Sequence, residues 1–299
     1  MPVVHLVDAS FFVFRAYYSI PDHMADGDGR PVNALYGFAR FLSDLVERER
    51  PGYVAIAFDQ SLAGSFRNRI YPAYKANREP APPGLKEQFG RCRELCRLVG
   101  VADFGSAEYE ADDIIGTLAT RMRAAGFAAT LVTRDKDLAQ LVRAGDEFWD
   151  YTAGERFGYA DIAPRFGVHP ERMADFLALT GDAVDNIPGV PGIGRKTAAA
   201  LLAHFESLDH LYDSLPEVTT LGIRGAAGII ARLREHRAAA YLARELTRIA
   251  CDMPIAAEPA ALRRAAPDLA TLGEFYDRAG FGPMLRRQAE RIARTAEAV

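Results

Sequence analysis

Tyr53-Val54-Ala55-Ile56-Ala57-Phe58-Asp59 is an apolar run of strand length that stops on an acid, and Val3-Val4-His5-Leu6-Val7-Asp8 repeats the pattern near the start of the chain. Such continuous apolar runs are expected of strands buried on both faces, as in a parallel sheet. Ala129-Thr130-Leu131-Val132-Thr133 is a third, followed at once by Arg134-Asp135-Lys136-Asp137. Between the runs the period changes. Leu35, Phe38, Phe41, Leu42 and Leu45 form a helical stripe over 34–46, ended by Pro51-Gly52; Leu85, Phe89, Cys92, Leu95 and Val99 form another. Glu110-Ala111-Asp112-Asp113 opens a helix that continues through Ile114, Ile115, Leu118 and Met122. Strands alternating with helices predict an α/β fold with a mainly parallel central sheet and flanking helices.

Ligands of such sheets bind outside the carboxyl ends of the strands. Three strands here end at or just before acids: Asp8, Asp59, and the pair Asp135 and Asp137. Glu110, Asp112 and Asp113 open a helix, and Asp182 and Asp185 follow later, which brings the set to nine carboxylates. Gathered in one site without cations they would repel strongly. Oxygen-only ligation with no His or Cys fits Mg²⁺ or Mn²⁺, and two such ions can activate water and stabilise the leaving oxygen of a phosphodiester.

Thr180-Gly181-Asp182-Ala183-Val184-Asp185-Asn186-Ile187-Pro188-Gly189-Val190-Pro191-Gly192-Ile193-Gly194-Arg195-Lys196-Thr197-Ala198 joins the last two acids to a second chemistry. Asp182 and Asp185 are three apart, and on a helix end they would face the same way. The hairpin Gly189–Gly194 then opens a helix. Its glycines allow a tight turn and close backbone approach to a phosphate, with Arg195 and Lys196 in the first turn beside the same anion site. An acidic loop or a Pro/Gly turn alone would be ordinary; the two in tandem point to an enzyme that grips nucleic acid and cuts it.

The chain has 299 residues, 49% hydrophobic and 25% charged, the balance of an ordinary soluble globular protein. No apolar run is long enough to span a membrane and no signal peptide is visible, so a cytoplasmic location is expected. Cys92 and Cys96 fall four apart in a helical pattern and read as core filling; with Cys251 they make no metal framework. The net charge of −4 looks wrong for a nucleic-acid enzyme, yet without the nine acids the rest of the chain carries +5. One basic stretch, Ser65 to Pro80, interleaves Arg67, Arg69, Lys75 and Arg78 with Phe66, Tyr71 and Tyr74. Cations there can hold phosphates, and rings can stack on unpaired bases; a solvated basic loop is the plainer alternative.

On these residues the chain resembles the 5′-nuclease family, which includes the N-terminal nuclease domain of bacterial DNA polymerase I, phage 5′-3′ exonucleases and, more distantly, flap endonucleases. Val7-Asp8-Ala9-Ser10, Phe58-Asp59, Tyr74-Lys75-Ala76-Asn77-Arg78, Glu110-Ala111-Asp112-Asp113, Asp135-Lys136-Asp137 and Gly181–Ala198 carry the likeness, in the family's order over residues 3–205. The resemblance implies a PIN-like core over 1–168 with a helical arch at about 65–100, and a helical lobe over 169–299 with a helix–hairpin–helix at 181–206. It implies one ion around Asp8, Asp59, Glu110 and Asp112, and a second nearer Asp135, Asp137, Asp182 and Asp185, with Asp113 in support. Lys75 and Arg78 match basic arch residues that contact the scissile phosphate. Arg67, Tyr74, Gly189, Gly192, Gly194, Arg195 and Lys196 are the expected DNA-binding residues, with K⁺ at the hairpin in some members. Pro80, Pro82 and Pro83 make the descending part of the arch less regularly helical.

The expected activity is a metal-dependent 5′-3′ exonuclease with structure-specific 5′-flap cleavage, leaving 5′-phosphates on DNA ends, flaps or forks, as replication and repair require. A monomer is favoured. Three alternatives stand beside it: a PIN-like ribonuclease, which the hairpin argues against; an enzyme for RNA in RNA–DNA hybrids, as in primer removal; and a DNA-binding scaffold with a weak site, against which the full set of acids argues. The C-terminal helical patterns, 226–249 and 272–293, are expected to pack as a helical lobe beside the hairpin.

Overall fold

The computed structural model describes residues 1–60, 64–255 and 257–296. Along the chain the elements run β1 (Val3–Asp8), α1 (Ala9–Ser19), α2 (Asn33–Glu49), β2 (Tyr53–Asp59), α3 (Phe66–Ile70), α4 (Pro83–Leu98), β3 (Ala102–Ser106), α5 (Ala111–Ala124) and β4 (Ala128–Val132). They continue with β5 (Glu147–Asp150), β6 (Glu155–Gly158), α6 (Tyr159–Phe166), α7 (Met173–Thr180), α8 (Arg195–His204), α9 (Leu208–Asp213), α10 (Ala226–Glu235), α11 (Arg237–Thr247), α12 (Leu269–Arg278) and α13 (Pro283–Ala296). Two compact units share these elements. Unit 1 comprises Met1–Gln60, Pro80–Arg134 and Cys251–Val299; unit 2 comprises Ser61–Glu79 and Asp135–Ala250.

Unit 1 holds four strands in the order β3-β2-β1-β4, all parallel. β4 is buried along its whole length and β1 along all but its first residue, as their mostly apolar runs lead one to expect. β3, Ala-Asp-Phe-Gly-Ser, has no such run; it lies beyond β2 and is half-exposed throughout. The register sets Asp8 opposite Ala57, so the carboxyl ends of β1 and β2 lie close to level. The chain steps from β1 outward to β2 and β3, then returns to the other side of β1 for β4, which places the switch in strand order at β1/β4. Cys92 and Cys96 are buried in α4 as core side chains, and burial pushes both thiols well above their ordinary pKa.

α12 and α13 also belong to unit 1, packed on α4 and α2. Gln288 Nε2 donates to Glu47 at 2.9 Å, and Arg291 pairs with the same carboxylate. This corrects the expectation that the last helices pack beside the hairpin: their apolar positions Leu272, Phe275, Tyr276, Leu285, Ala289 and Ile292 are buried in the sheet-bearing unit.

Unit 2 is mostly helical, with a short antiparallel pair, β5 and β6, in which Phe148 opposes Phe157. α7 packs against α8 and α11, around Phe176, Leu201, Leu202 and Leu246. The residues between α3 and α4 form turns and extended chain, and Pro82 and Pro83 set the start of α4, where proline is tolerated at the first helical turn. No helix among the described residues is long and apolar enough to cross a membrane.

Candidate functional site

Five of the nine acids lie in unit 1, and hydrogen bonds tie Asp8 and Asp59 to each other through Ser10 and Asp59 to the start of α5, where Glu110, Asp112 and Asp113 lie. Asp8 ends β1 and caps α1; its Oδ1 accepts from the Ser10 N–H at 3.1 Å and its Oδ2 from the Thr133 hydroxyl at 3.1 Å. Thr133 follows β4, so this contact spans the β1/β4 switch point, where a parallel sheet opens toward a ligand. The Ser10 hydroxyl accepts from the Asp59 N–H at 3.1 Å, and Asp59 Oδ1 accepts from the Ala111 N–H, the first residue of α5, at 2.8 Å. The Glu110 N–H donates to Asp113 at 3.0 Å. Asp8, Glu110 and Asp113 are buried and Asp112 half-buried. Carboxylates so placed need hydrogen bonds or a cation to stay ionised.

Four acids lie in unit 2, in two turns. Asp135 caps a short 3-10 helix, Lys136–Leu141, by accepting from the Asp137 N–H at 2.9 Å. α7 ends at Thr180, and Asp182–Ile187 is a turn closed by Asp182 N–H to Ile187 O at 3.0 Å and Ile187 N–H to Asp182 O at 2.8 Å. Asp182 and Asp185 therefore lie in a turn and do not share a helix face, which corrects the expectation drawn from their spacing. Gly181, at φ +72°, breaks the helix, and Asp182 Oδ1 caps the turn from within by accepting from Val184 N–H at 2.8 Å and Asp185 N–H at 3.3 Å. Lys136 Nζ lies 2.9 Å from Asp182 Oδ2 and 3.0 Å from Asp137 Oδ1. Burial would raise the Asp182 pKa, but this ammonium and the turn N–H groups hold it below its ordinary value. Asp137 goes the other way: burial, then the charge of Asp135, pushes it up to about 7 despite Lys136.

The basic stretch is tied to the second turn. Lys75 N–H donates to Asp185 O at 2.9 Å, Asn77 Nδ2 to Ala183 O at 3.0 Å and Asn186 Nδ2 to Ala73 O at 2.6 Å. Arg78 pairs with the Asp185 carboxylate, and Lys75 Nζ lies 3.8 Å from it. Asn77 and Asn186 carry this lacing; both lie inside stretches that carry the family likeness, but an uncharged amide gives no sign of that role in the sequence.

Two expected DNA contacts are corrected. Arg67 is 3% exposed, its guanidinium donating to Leu246 O at 2.8 Å and Arg248 O at 2.9 Å, the open carbonyls at the end of α11. Tyr74 is also 3% exposed, and its hydroxyl donates to Asp185 at 3.4 Å. Neither side chain faces solvent where a phosphate or base could meet it. The hairpin divides likewise. Gly189 packs backbone to backbone on Thr180 and Gly181, leaving no room for a side chain. Val190 and Ile193 anchor the loop in the core, whereas Gly192, Gly194, Arg195 and Lys196 are exposed at its tip, Gly194 capping α8.

A family model described as the 5′-3′ exonuclease N-terminal resolvase-like domain matches residues 3–167, and one for the 5′-3′ exonuclease C-terminal SAM fold matches residues 168–270. The chain belongs to the 5′-3′ exonuclease family. That family is one of nucleases, so the chain is read as an enzyme. DNA polymerase I of Rhizobium leguminosarum is 38% identical over 98% of this chain, which spans 29% of that polymerase. The 5′-3′ exonuclease of Aquifex aeolicus is 37% identical over 71% of this chain and 72% of its own length. Among solved structures, T5 5′-exonuclease with divalent metal ions (zinc) bound matches with a TM-score of 0.68 at 19% identity, covering 98% of this chain and 99% of that one. The catalytic core of Rad2 in complex with DNA substrate matches at 0.60 and 15%, covering 99% and 91%. At identities this low, these structural matches show the shared α/β fold alone.

Among the described residues no three His, Cys, Asp or Glu side chains surround a common point as metal ligands. The donor set nevertheless fits a hard divalent ion: every candidate ligand is a carboxylate, and Asp137 Oδ1 is a buried carboxylate oxygen that already faces a cation, the Lys136 ammonium, at 3.0 Å.

Proposed function

We propose that this 5′-3′ exonuclease family chain is a metal-dependent 5′-3′ exonuclease and 5′-flap endonuclease, acting on DNA with 5′ ends, flaps or forks. The observation that carries the reading is the pairing of Lys75 and Arg78 with Asp185: two cations suited to a phosphate sit on a carboxylate suited to an ion. In this reading the acids of unit 1 and of unit 2 hold two Mg²⁺ or Mn²⁺. Bound there, such ions would supply water activation and charge stabilisation of the leaving oxygen, the chemistry that cleavage to 5′-phosphate and 3′-hydroxyl ends requires. Lys75 and Arg78 hold the scissile phosphate. The exposed tip Gly192–Lys196 grips duplex backbone through N–H groups at the start of α8, with K⁺ an accessory there. Asn77 and Asn186 fix the spacing between the cations and Asp185.

The test compares a labelled 5′-flap duplex, its RNA-flap counterpart and a plain single strand, each with Mg²⁺ or EDTA. Flap cleavage in Mg²⁺ that EDTA abolishes is expected. Undiminished cutting in EDTA, or equal cutting of the plain single strand, would overturn the proposal, and preference for the RNA flap would move the substrate to RNA–DNA hybrids.

A further inference from the structure

We propose that Lys136 is the resident counter-cation of the Asp137–Asp182 pair: its ammonium holds the place of an ion in the metal-free chain, must swing out when a divalent cation arrives, and thereby sets the affinity of that pair for metal. The inference rests on the reading that Asp137 and Asp182 are metal ligands. Lys136 Nζ bridges the two, 3.0 Å from Asp137 Oδ1 and 2.9 Å from Asp182 Oδ2. A divalent ion accepted by both carboxylates would meet that ammonium at close range, and two cations so near repel.

The residue that yields is the lysine. Asp182 is pinned, its other oxygen accepting from Val184 and Asp185 N–H groups at 2.8 and 3.3 Å. Asp137 is fixed in the first turn of its 3-10 helix, where its N–H donates to Asp135. Lys136 is 41% exposed on a flexible four-carbon stem, against 8% for Asp182 and 18% for Asp137. The bridge is also an imperfect substitute for a divalent ion, since one singly charged ammonium is shared between two carboxylates. Without any cation the two carboxylates would face each other unscreened, so the lysine keeps the empty pair together while remaining displaceable.

The experiment titrates Mn²⁺ into the full chain, counting bound ions by electron paramagnetic resonance and reading affinity by calorimetry. Thermal midpoints are recorded with and without Mn²⁺. Lys136→Met should bind Mn²⁺ about tenfold more tightly than wild type, melt lower without metal, and recover to the wild-type midpoint at saturating Mn²⁺. Lys136→Arg, which keeps the charge, should retain the weak wild-type affinity, and Lys136→Gln serves as a polar variant if the methionine variant does not fold. Affinity of the uncharged variants within twofold of wild type, or weaker, overturns the proposal and leaves Lys136 a structural tie between two turns. Asp182→Asn should lose one bound Mn²⁺; an unchanged ion count would overturn the metal reading beneath it.

Discussion

Lys75 donates its backbone N–H to the carbonyl oxygen of Asp185 at 2.9 Å, while its ammonium lies 3.8 Å from the Asp185 carboxylate. Backbone and side chain of one residue thus meet backbone and side chain of the other. The contact needs Lys75 at φ +54°, a left-handed conformation that lysine rarely adopts, and Asn186 beside it at φ +55°. Surrounding bonds from Asn77 and Asn186 hold both in place, so the unusual backbone is over-determined, as is common at working sites. The Lys75 side chain is 10% exposed and its position is set before any substrate arrives.

Lys75→Ala should then lower single-turnover flap cleavage by about 100-fold, the loss typical of one preorganised charge contact in the transition state. Duplex affinity should stay within about threefold, since in the proposed reading the hairpin tip would grip the duplex by itself. Arg78→Ala should act alike but affect flaps most. Single-turnover rates with enzyme well above the dissociation constant provide the measurement. A Lys75→Ala rate within about twofold of wild type, under ~0.4 kcal/mol of barrier, would reduce the pair to a structural tie.

Asp182→Asn should separate chemistry from binding. The amide keeps an acceptor for the Val184 and Asp185 N–H groups but loses the charge that faces Lys136. Cleavage in Mg²⁺ should drop by about 10²–10³, and DNA affinity should hold or rise because a negative charge near phosphate is gone. Wild-type turnover in this variant would exclude Asp182 from the metal ligands.

Much of unit 1 was legible because its signals are local. β1, β2 and β4 are mostly apolar runs; Asp8 and Asp59 are the last residues of β1 and β2, and Asp135 follows the end of β4 by three residues. β3 was not, since Gly105 and Asp103 interrupt it and its strand form depends on pairing with β2. In unit 2 the acids were legible by type but not by setting. The turn that holds Asp182 is made by bonds to Ile187, and its partner turn lies more than a hundred residues earlier, information no local pattern carries. Arg67 and Tyr74 misled for the same reason: a basic–aromatic stretch looks identical whether its side chains face a ligand or the interior.

Arg67→Ala should therefore behave as a stability variant. It removes a buried guanidinium and leaves the Leu246 and Arg248 carbonyls without their donor, a loss on the order of 2–4 kcal/mol for charge-assisted buried bonds. Arg67→Lys should recover little, because one ammonium cannot reproduce the fork. Denaturant unfolding would show this directly. DNA affinity of the folded fraction should match wild type, and a selective loss of affinity at unchanged stability would restore Arg67 to the DNA-binding set.

The hairpin glycines allow the sharpest separation of folding from function. A methyl at Gly189 would overlap the backbone of Thr180 and Gly181, lying 2.7 Å even from the Thr180 carbonyl oxygen, and neither neighbour can give way. Gly189→Ala should cost at least about 3 kcal/mol of stability. Gly194 is the contrary case. Its φ of −91° suits any residue, and a Cβ there meets nothing within 4 Å. Folding alone gives no strong reason for glycine, and Gly194→Ala should change stability by no more than about 1 kcal/mol, the scale of a helix-cap substitution. If the open space beside it is where a phosphate meets the start of α8, the same methyl should weaken duplex binding by about tenfold. The loss should be equal across DNA sequences, as for backbone contacts. Paired melts and duplex titrations of the two variants decide the matter: Gly194→Ala with wild-type affinity would remove the hairpin tip from the DNA interface, and a loss limited to one sequence would show base reading in place of phosphate binding.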